Sequence, residues 1–289
     1  MLRKFIAIGL ALVSVVHAQT QEELTRELDQ SSDEHMREEL GVNPITTPSI
    51  REVLAQLDNY RPVPLEVIAE NNRDATFPNR LQTAIHFGTL ITDGFMLTLA
   101  QRPQDIQDIG RALIRQAQGL GIGERFTRRS KSLFEKSDKG DWIGMREELI
   151  GTQTEVEQSL MDLRDEEIAH MISLGGWIRG FQLAAEATTR NYFPTRAQGL
   201  INIEIMDYFL DRLDTLHPRI KKTELIVVLT TKLKTLRALA ESTAGRTPTK
   251  EEVTKMRDLG NELVQAALSK VDDEGKIIAP PAPAPALPR

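Results

Sequence analysis

From residue 79 onward, the apolar positions of the chain recur every three to four residues, which is the period of an amphipathic helix. The pattern predicts helical segments at about 79–100, 103–119, 123–137, 141–163, 165–188, 194–216, 219–241 and 248–271. Pro103 and Pro248 suit first-turn positions. The run Ile226 to Thr231 is β-branched, as in a strand, but Leu225 and Leu229 belong to a helical period that continues past it. With no convincing alternating strand, we expect an all-α, multi-helix antiparallel bundle.

Two stretches, Ala84 to Leu97 and Ile168 to Leu183, are apolar on nearly every side. Helices of this kind lie at the centre of a bundle. Both contain glycine, which costs a helix about 1 kcal/mol relative to alanine and is useful where another backbone comes close. The stretches align through Gly94-Phe95 and Gly180-Phe181. The short match suggests an internal duplication, with one helical pair used twice around two central apolar helices.

Four polar side chains share one face of the first central segment at spacings i, i+4, i+7 and i+11: Gln82, His86, Thr89 and Asp93. Such a stripe must find partners inside the bundle or line a cavity. The duplication would place Asp93 opposite Arg179, which predicts a buried ion pair. One interpretation is a polar network that fixes helix register. The alternative is a ligand pocket between the central helices at 82–97 and 167–183, with Trp177 also at its wall.

The sequence contains one possible half of a metal site. Glu167 and His170 are three residues apart, a spacing that puts a carboxylate and an imidazole on the same helix face. A carboxylate-bridged di-metal bundle requires two such motifs and two further glutamates. Glu204 and Asp207 could contribute carboxylates, but a second histidine motif is missing. We therefore expect neither a metal nor another cofactor, and Glu167 and His170 are the only metal-ligand candidates.

Other catalytic signatures are missing from the sequence. It contains no G-x-S-x-G elbow, no glycine-rich phosphate loop between a strand and a helix, and no H-E-x-x-H motif. Because the chain has no cysteine, disulfides and thiolate metal sites are excluded. The net charge of −6 argues against nucleic acid, which is bound largely through Lys and Arg. One predicted helix has a local basic face, formed by Arg125, Arg128, Arg129 and Lys131. This face is either a solvated helix surface or a contact site for an anionic envelope polymer.

The first 18 residues have the three parts of a secretory signal peptide. Arg3 and Lys4 are positive, Phe5 to Val16 is apolar, and small residues precede the expected cleavage site after Ala18. The apolar part is short for a membrane span, which needs about 20 residues; an uncleaved anchor is the alternative. Cleavage would remove Arg3 and Lys4, changing the net charge from −6 to about −8. We expect an exported protein without a membrane span, either periplasmic or extracellular.

Four regions follow from these features. Residues 1–18 are the signal peptide, and 19–61 form an acidic N-terminal arm with a short helix opened by the capping box Ser49-x-x-Glu52. Residues 62–272 form the helical domain. Residues 273–289 are a Pro/Ala-rich tail, in which Ala279 to Pro288 is expected to be extended polyproline II. The tail is either a disordered terminus or a spacer that docks on an envelope partner.

Three runs, taken in order, resemble a family of uncharacterised all-helical bacterial envelope proteins. They are Pro62 to Glu66, Gly88 to Asp93, and Gly175 to Gly180. The similarity covers roughly residues 62–240 and implies an all-helical fold in an exported or lipid-anchored protein, without a known activity. The family often has an acidic residue where this chain has Arg179, so the resemblance implies that an Asp93–Arg179 pair would be particular to this sequence. This chain lacks a lipidation cysteine.

We therefore expect a non-enzymatic binding or structural protein of the cell envelope. Its partner would be an envelope protein or polymer, contacted through the acidic arm or the Pro/Ala tail. The alternative is a small-molecule-binding or hydrolytic protein whose pocket lies between the central helices. The sequence leaves the ligand and the oligomeric state open.

Overall fold

The computed structural model describes residues 58–145, 147–148 and 165–281, which belong to one compact unit, Ile45–Arg289. For residues 58, 124–130 and 166 it describes the backbone alone. Several predicted features therefore lie outside the described part: the signal peptide, the acidic arm up to residue 57, the capping box at Ser49, the basic side chains of Arg125, Arg128 and Arg129, and the tail beyond residue 281.

The described chain is an all-α, multi-helix bundle, as the periodicity predicted. A 3-10 turn at Asp58–Tyr60 precedes the helices. The helices are α1 Leu65–Ala69, α2 Arg80–Leu99, α3 Pro103–Leu120, α4 Gly123–Asp138, α5 Glu166–Arg190, α6 Pro194–Gly199, α7 Ile203–Thr215, α8 Pro218–Lys221, α9 Glu224–Ser242 and α10 Lys250–Leu268. Residues 142–145 and 147–148 are also helical. The β-branched run from Ile226 lies inside α9, so its helical interpretation is confirmed.

Three local features differ from the expected pattern. The segment predicted at 219–241 is divided into α8 and α9, which are separated by Lys222 and Thr223. The segment predicted at 194–216 is divided into α6 and α7, and Asn202 caps α7 by accepting a hydrogen bond from the Ile205 amide at 3.1 Å. A two-stranded antiparallel sheet also follows α10, formed by β1 Lys270–Val271 and β2 Ile277–Ala279. These strands are too short to produce an alternating pattern. The turn between them, with Gly275 at φ +77°, favours glycine.

The two central helices α2 and α5 run parallel to each other. Their first turns are joined by an ion pair between Arg80 and Asp165, and farther along both helices Asp93 contacts Arg179. Sequence neighbours are antiparallel, as expected: Gln107 near the start of α3 bonds to Asp138 at the end of α4. The antiparallel expectation therefore holds for α3 and α4 but not for the central pair.

Glycines allow the backbones of α2 and α5 to touch. A Cβ atom on Gly88 would lie 2.0 Å from the carbonyl oxygen of Ile172, and one on Gly175 would lie 2.0 Å from that of Ile85. Real Cβ atoms do not approach oxygen so closely, so glycine is required at both positions. This explains why two otherwise strongly apolar helices retain glycine despite its cost to helix stability.

The two aligned segments lie side by side in this parallel pair. Asp93 and Arg179, which contact each other, are 86 residues apart in the chain, and so are the aligned residues Gly94 and Gly180. The elements that follow are not equivalent. The 18-residue helix α3 follows α2, whereas the six-residue helix α6 follows α5. The likeness is thus limited to the central helices.

Neighbouring elements cover the central pair on several sides. Helix α1 and the start of α3 pack on the second half of α2, where Ile68, Met96 and Ile109 are buried together. Helix α10 lies along α5, with Gly260 against Phe181. Within the described ranges, no helix is both long enough and apolar enough to cross a membrane.

Candidate functional site

A buried ion pair joins the two central helices. Arg179 Nε donates to Asp93 Oδ1 at 2.7 Å, and Arg179 Nη2 donates to Asp93 Oδ2 at 3.3 Å. The side chain of Asp93 is fully buried and that of Arg179 is 2% exposed. The pair predicted from the sequence is therefore present, in a two-contact geometry that suits a guanidinium and a carboxylate.

Further partners satisfy both charges. Arg179 Nη1 donates to Gln182 Oε1 at 2.5 Å, and Nη2 donates to the carbonyl of Val67 at 2.9 Å. Asn71 Nδ2 donates to Asp93 Oδ2 at 2.6 Å. Since Val67 lies in α1 and Asn71 just beyond it, this short helix is fixed to the central pair through polar contacts as well as through its apolar face.

The contacts of Asp93 fit the ionised carboxyl. Burial raises the pKa of Asp93 above its ordinary value, and the Arg179 guanidinium and the Asn71 amide oppose that shift. Each hydrogen bond to its oxygens comes from an N–H donor, so these contacts require no proton on the carboxyl. The charge on Asp93 therefore depends on Arg179 being in place.

The other stripe residues are buried beside this pair. Gln82 Nε2 donates to the carbonyls of Ala267 and Ser269 at 2.9 and 2.6 Å, which ties α2 to the end of α10. The His86 ring packs edge-on against Phe77, and the Thr89 hydroxyl lies 3.3 Å from His86 Nδ1. Burial lowers the pKa of His86 to about 3, and the charge of Arg179 acts in the same direction. His86 is therefore neutral near pH 7.

Three buried polar atoms around this network have no hydrogen-bond partner within the described residues: Asn71 Oδ1, Gln82 Oε1 and His86 Nε2. An unpaired buried polar atom is costly, so each is a place where water or another group would gain a hydrogen bond.

Trp177 lies apart from the network. It is half-buried and packs against Phe181 and Phe209, with ring centroids 5.6 and 5.5 Å away. Hydrogen bonds thus link four of the six residues predicted from the sequence, namely His86, Thr89, Asp93 and Arg179, through Asn71. Gln82 bonds instead to the end of α10, and Trp177 makes a separate aromatic contact with α7.

The metal-ligand candidates do not converge. Glu167 is exposed, and His170 Nδ1 lies 3.0 Å from the Tyr208 hydroxyl. Asp207 is paired with Arg237 at the surface. In the described part of the chain, no group of three or more His, Cys, Asp or Glu side chains could hold a metal ion.

An open groove of about 550 Å³ lies beside the network, between α1, α5, α10 and the chain just after β2. We call it the α1–α5–α10 groove. Its lining residues are Glu66, Val67, Glu70, Asn71, Arg179, Gln182, Glu186, Arg190, Asn261, Val264, Gln265, Leu268, Pro280 and Pro281. Of the six residues predicted from the sequence, only Arg179 lines it. The stripe on α2 forms a buried network, and the open space lies on the far side of Arg179.

The groove has a polar floor and a charged rim. On the floor, Gln182 accepts from Arg179 and donates to Asn261 Oδ1 at 2.8 Å. On the rim, Arg190 contacts both Glu66 and Glu186. Three residues of this site were not predicted from the sequence: Asn71, Gln182 and Asn261. Gln182 could have been found, since it lies three residues after Arg179 and shares its helix face.

No protein-family model, curated protein or solved structure matches this chain. The resemblance to exported helical envelope proteins therefore stays a prediction, and the site must be interpreted from its own geometry.

Proposed function

We propose that this protein is an exported, non-enzymatic binding protein of the cell envelope, with the α1–α5–α10 groove as its binding site. The observation that carries the proposal is that buried polar side chains of the central network, Arg179 and Asn71, also line an open groove. Packing and hydrogen bonds already hold these groups in position, so a ligand would pay little to organise them.

The composition of the groove favours binding over hydrolysis. Its described lining includes no serine, cysteine or histidine, and two of its three carboxylates, Glu66 and Glu186, are paired with Arg190. His86 is fully buried and does not line the groove. The alternative expected from the sequence, a small-molecule-binding or hydrolytic protein, stays a prediction, and the groove supports its binding part.

The groove also favours a ligand-binding role over a purely structural one. A scaffold protein needs a closed core, and the side chains of His86 and Asp93 do lie in one. The same network, however, continues through Arg179 and Gln182 to open space. We also propose that the acidic arm and the Pro/Ala tail contact an envelope protein or polymer. These contacts would be made in addition to ligand binding in the groove.

Export and binding are tested separately. For export, the full chain is expressed in a bacterial host and the N-terminus of the purified protein is determined by mass spectrometry. We expect it to begin at Gln19 and to be recovered from the envelope or medium. An N-terminus at Met1 in the cytoplasmic fraction would contradict the export part of the proposal and leave the groove untouched.

For binding, small molecules extracted from cell envelopes are assayed by thermal stabilisation of the protein. Gln265→Trp fills the groove from an exposed position on α10, and Lys255→Trp places the same side chain on an exposed position of α10 that does not line the groove. We expect stabilisation by at least one fraction, lost in Gln265→Trp and retained in Lys255→Trp. Equal responses of the two variants would rule out the groove as the binding site.

A further inference from the structure

The charges around the α1–α5–α10 groove do not balance. Arg179 is matched by Asp93 behind the floor, and Arg190 is shared by two carboxylates on the rim, Glu66 and Glu186. The side chain of Glu70 has neither a hydrogen bond nor an ion pair within the described chain. Three carboxylates and two guanidinium groups line the groove, and a fourth carboxylate, Asp93, is buried behind Arg179, so this set of six groups carries a net charge of −2.

The floor of the groove also contains a hydrogen-bond acceptor that has no donor. Asn71 is 5% exposed and lines the groove, and its amide nitrogen is already used by Asp93 and Thr89. Its Oδ1 atom is buried without a partner. Because the unpaired atom is an acceptor with almost no accessible surface, the Asn71 side chain must turn towards the groove before a donor on a ligand can reach it.

One wall of the groove is aliphatic. Val67, Val264 and Leu268 face the opening together with Pro280 and Pro281. A ligand that fits all three features is cationic, carries N–H donors and has an apolar stem. Aliphatic amines and guanidines have this combination, since the hydrocarbon stem packs on apolar surface while the charged head stays hydrogen-bonded.

We propose that the groove binds an alkyl ammonium or alkyl guanidinium group, with the cation among Glu70 and Glu186 and one N–H donated to Asn71 Oδ1. This inference rests on the proposed binding function of the groove and specifies its ligand class. The group would come either from a free amine or from a lysine or arginine side chain of an envelope peptide.

The probe set separates charge from hydrogen bonding. Calorimetric titrations of the purified protein use n-butylamine and agmatine as free cations, an acetylated and amidated Ala-Lys-Ala peptide as the side-chain form, and n-butanol and butyrate as neutral and anionic controls. n-Butyltrimethylammonium keeps the charge but has no N–H. We expect the amines to bind, butanol and butyrate not to bind, and the trimethylated cation to bind about fivefold more weakly than butylamine.

Paired variants locate the effect. Glu70→Gln removes an exposed rim charge and should weaken amine binding about threefold, with a smaller loss at high salt. Glu135→Gln, an exposed glutamate on α4 that does not line the groove, should leave binding unchanged. Tighter binding of the peptide than of the free amines would identify a basic side chain as the source, and the reverse order would identify a free amine.

The inference and the proposed function fail in different ways. If butyrate or butanol binds at least as tightly as butylamine and Gln265→Trp abolishes that binding, the groove is a binding site but the cationic ligand class is wrong. If no amine binds even at millimolar concentration, the proposed ligand class is wrong, whether or not an envelope fraction stabilises the protein. If Gln265→Trp changes neither the binding of the probes nor the thermal stabilisation by the envelope fractions, the proposed binding function of the groove is contradicted.

Discussion

Arg179 and Asp93 form a buried, two-contact ion pair between parallel helices, at positions 86 residues apart in the chain. Removing one partner of such a pair leaves a charge in an apolar interior, which is far more costly than losing an exposed pair. The pair therefore fixes the register of α2 against α5, and through Gln182 it also positions the floor of the groove.

Replacing Arg179 tests the energetic role of this pair. We expect Arg179→Met to lower the free energy of unfolding by about 3–5 kcal/mol, because Asp93 would be left buried beside neutral neighbours. Urea denaturation followed by circular dichroism measures the change. Arg237→Met is the matched control, since the Asp207–Arg237 pair lies at the surface, and its loss should cost far less than the loss of the buried pair. Similar losses in the two variants would contradict the role of the buried pair.

Glycine at the crossing of α2 and α5 gives a second prediction. Gly88→Ala should destabilise the protein by about 1–3 kcal/mol, because the new Cβ would overlap the Ile172 carbonyl and push the helices apart. Gly180→Ala is the control: its Cβ would meet Thr92 Cγ2 at an ordinary 3.8 Å, and alanine favours a helix by about 1 kcal/mol. Thermal unfolding should separate the two variants in opposite directions, and an equal shift would contradict the close approach.

His86 predicts a pH dependence of stability. Its pKa is lowered from 6.5 to about 3 in the folded protein, so the unfolded chain takes up the proton first as pH falls. This contribution to stability is complete above pH 6.5 and is lost as pH falls from 6.5 towards 3. Between pH 7 and pH 5 the loss should be about 2 kcal/mol.

The measurement compares urea denaturation of the wild type and His86→Gln at several pH values in this range. The variant should lose a large part of the slope, because glutamine does not titrate. Some slope should remain in the variant, since burial also lowers the pKa of His170, to about 4. Identical slopes for the two proteins would show that His86 takes up its proton equally in the folded and unfolded states, so that its pKa is not lowered by folding.

Periodicity was sufficient to find the central helices, and the alignment of Gly94-Phe95 with Gly180-Phe181 predicted the ion pair. The segment predicted at 79–100 is nearly the observed α2, and a polar stripe on an apolar helix indicated buried partners. The parallel direction of α2 and α5 was not predictable, because the chain between them passes through further helices whose packing leaves no mark on local periodicity.

The groove was missed for a related reason. Asn71 lies 22 residues before Asp93, and Asn261 lies 79 residues after Gln182. An asparagine near a helix end suggests a cap or turn, and one on the exposed side of a helix suggests a solvated face. Only the packing of α1 and α10 on α5 gives these two amides a shared role.

The last prediction concerns the chain after α10. Removing residues 282–289 should leave the midpoint of thermal unfolding unchanged, because β2 and the groove wall at Pro280 and Pro281 are retained. Removing 277–289 should lower stability by about 1–2 kcal/mol, since the pairing of β2 with β1 and the bond from the Ile277 amide to Glu224 are both lost.

These two truncations also separate tail docking from groove binding. If the Pro/Ala tail docks on an envelope partner, the shorter truncation should abolish capture of that partner from envelope extracts while amine binding to the groove is unchanged. The longer truncation should impair both, because it also removes Pro280 and Pro281 from the wall. Capture that survives removal of 282–289 would exclude docking through that segment, and any envelope contact would then have to be made through the acidic arm or the groove.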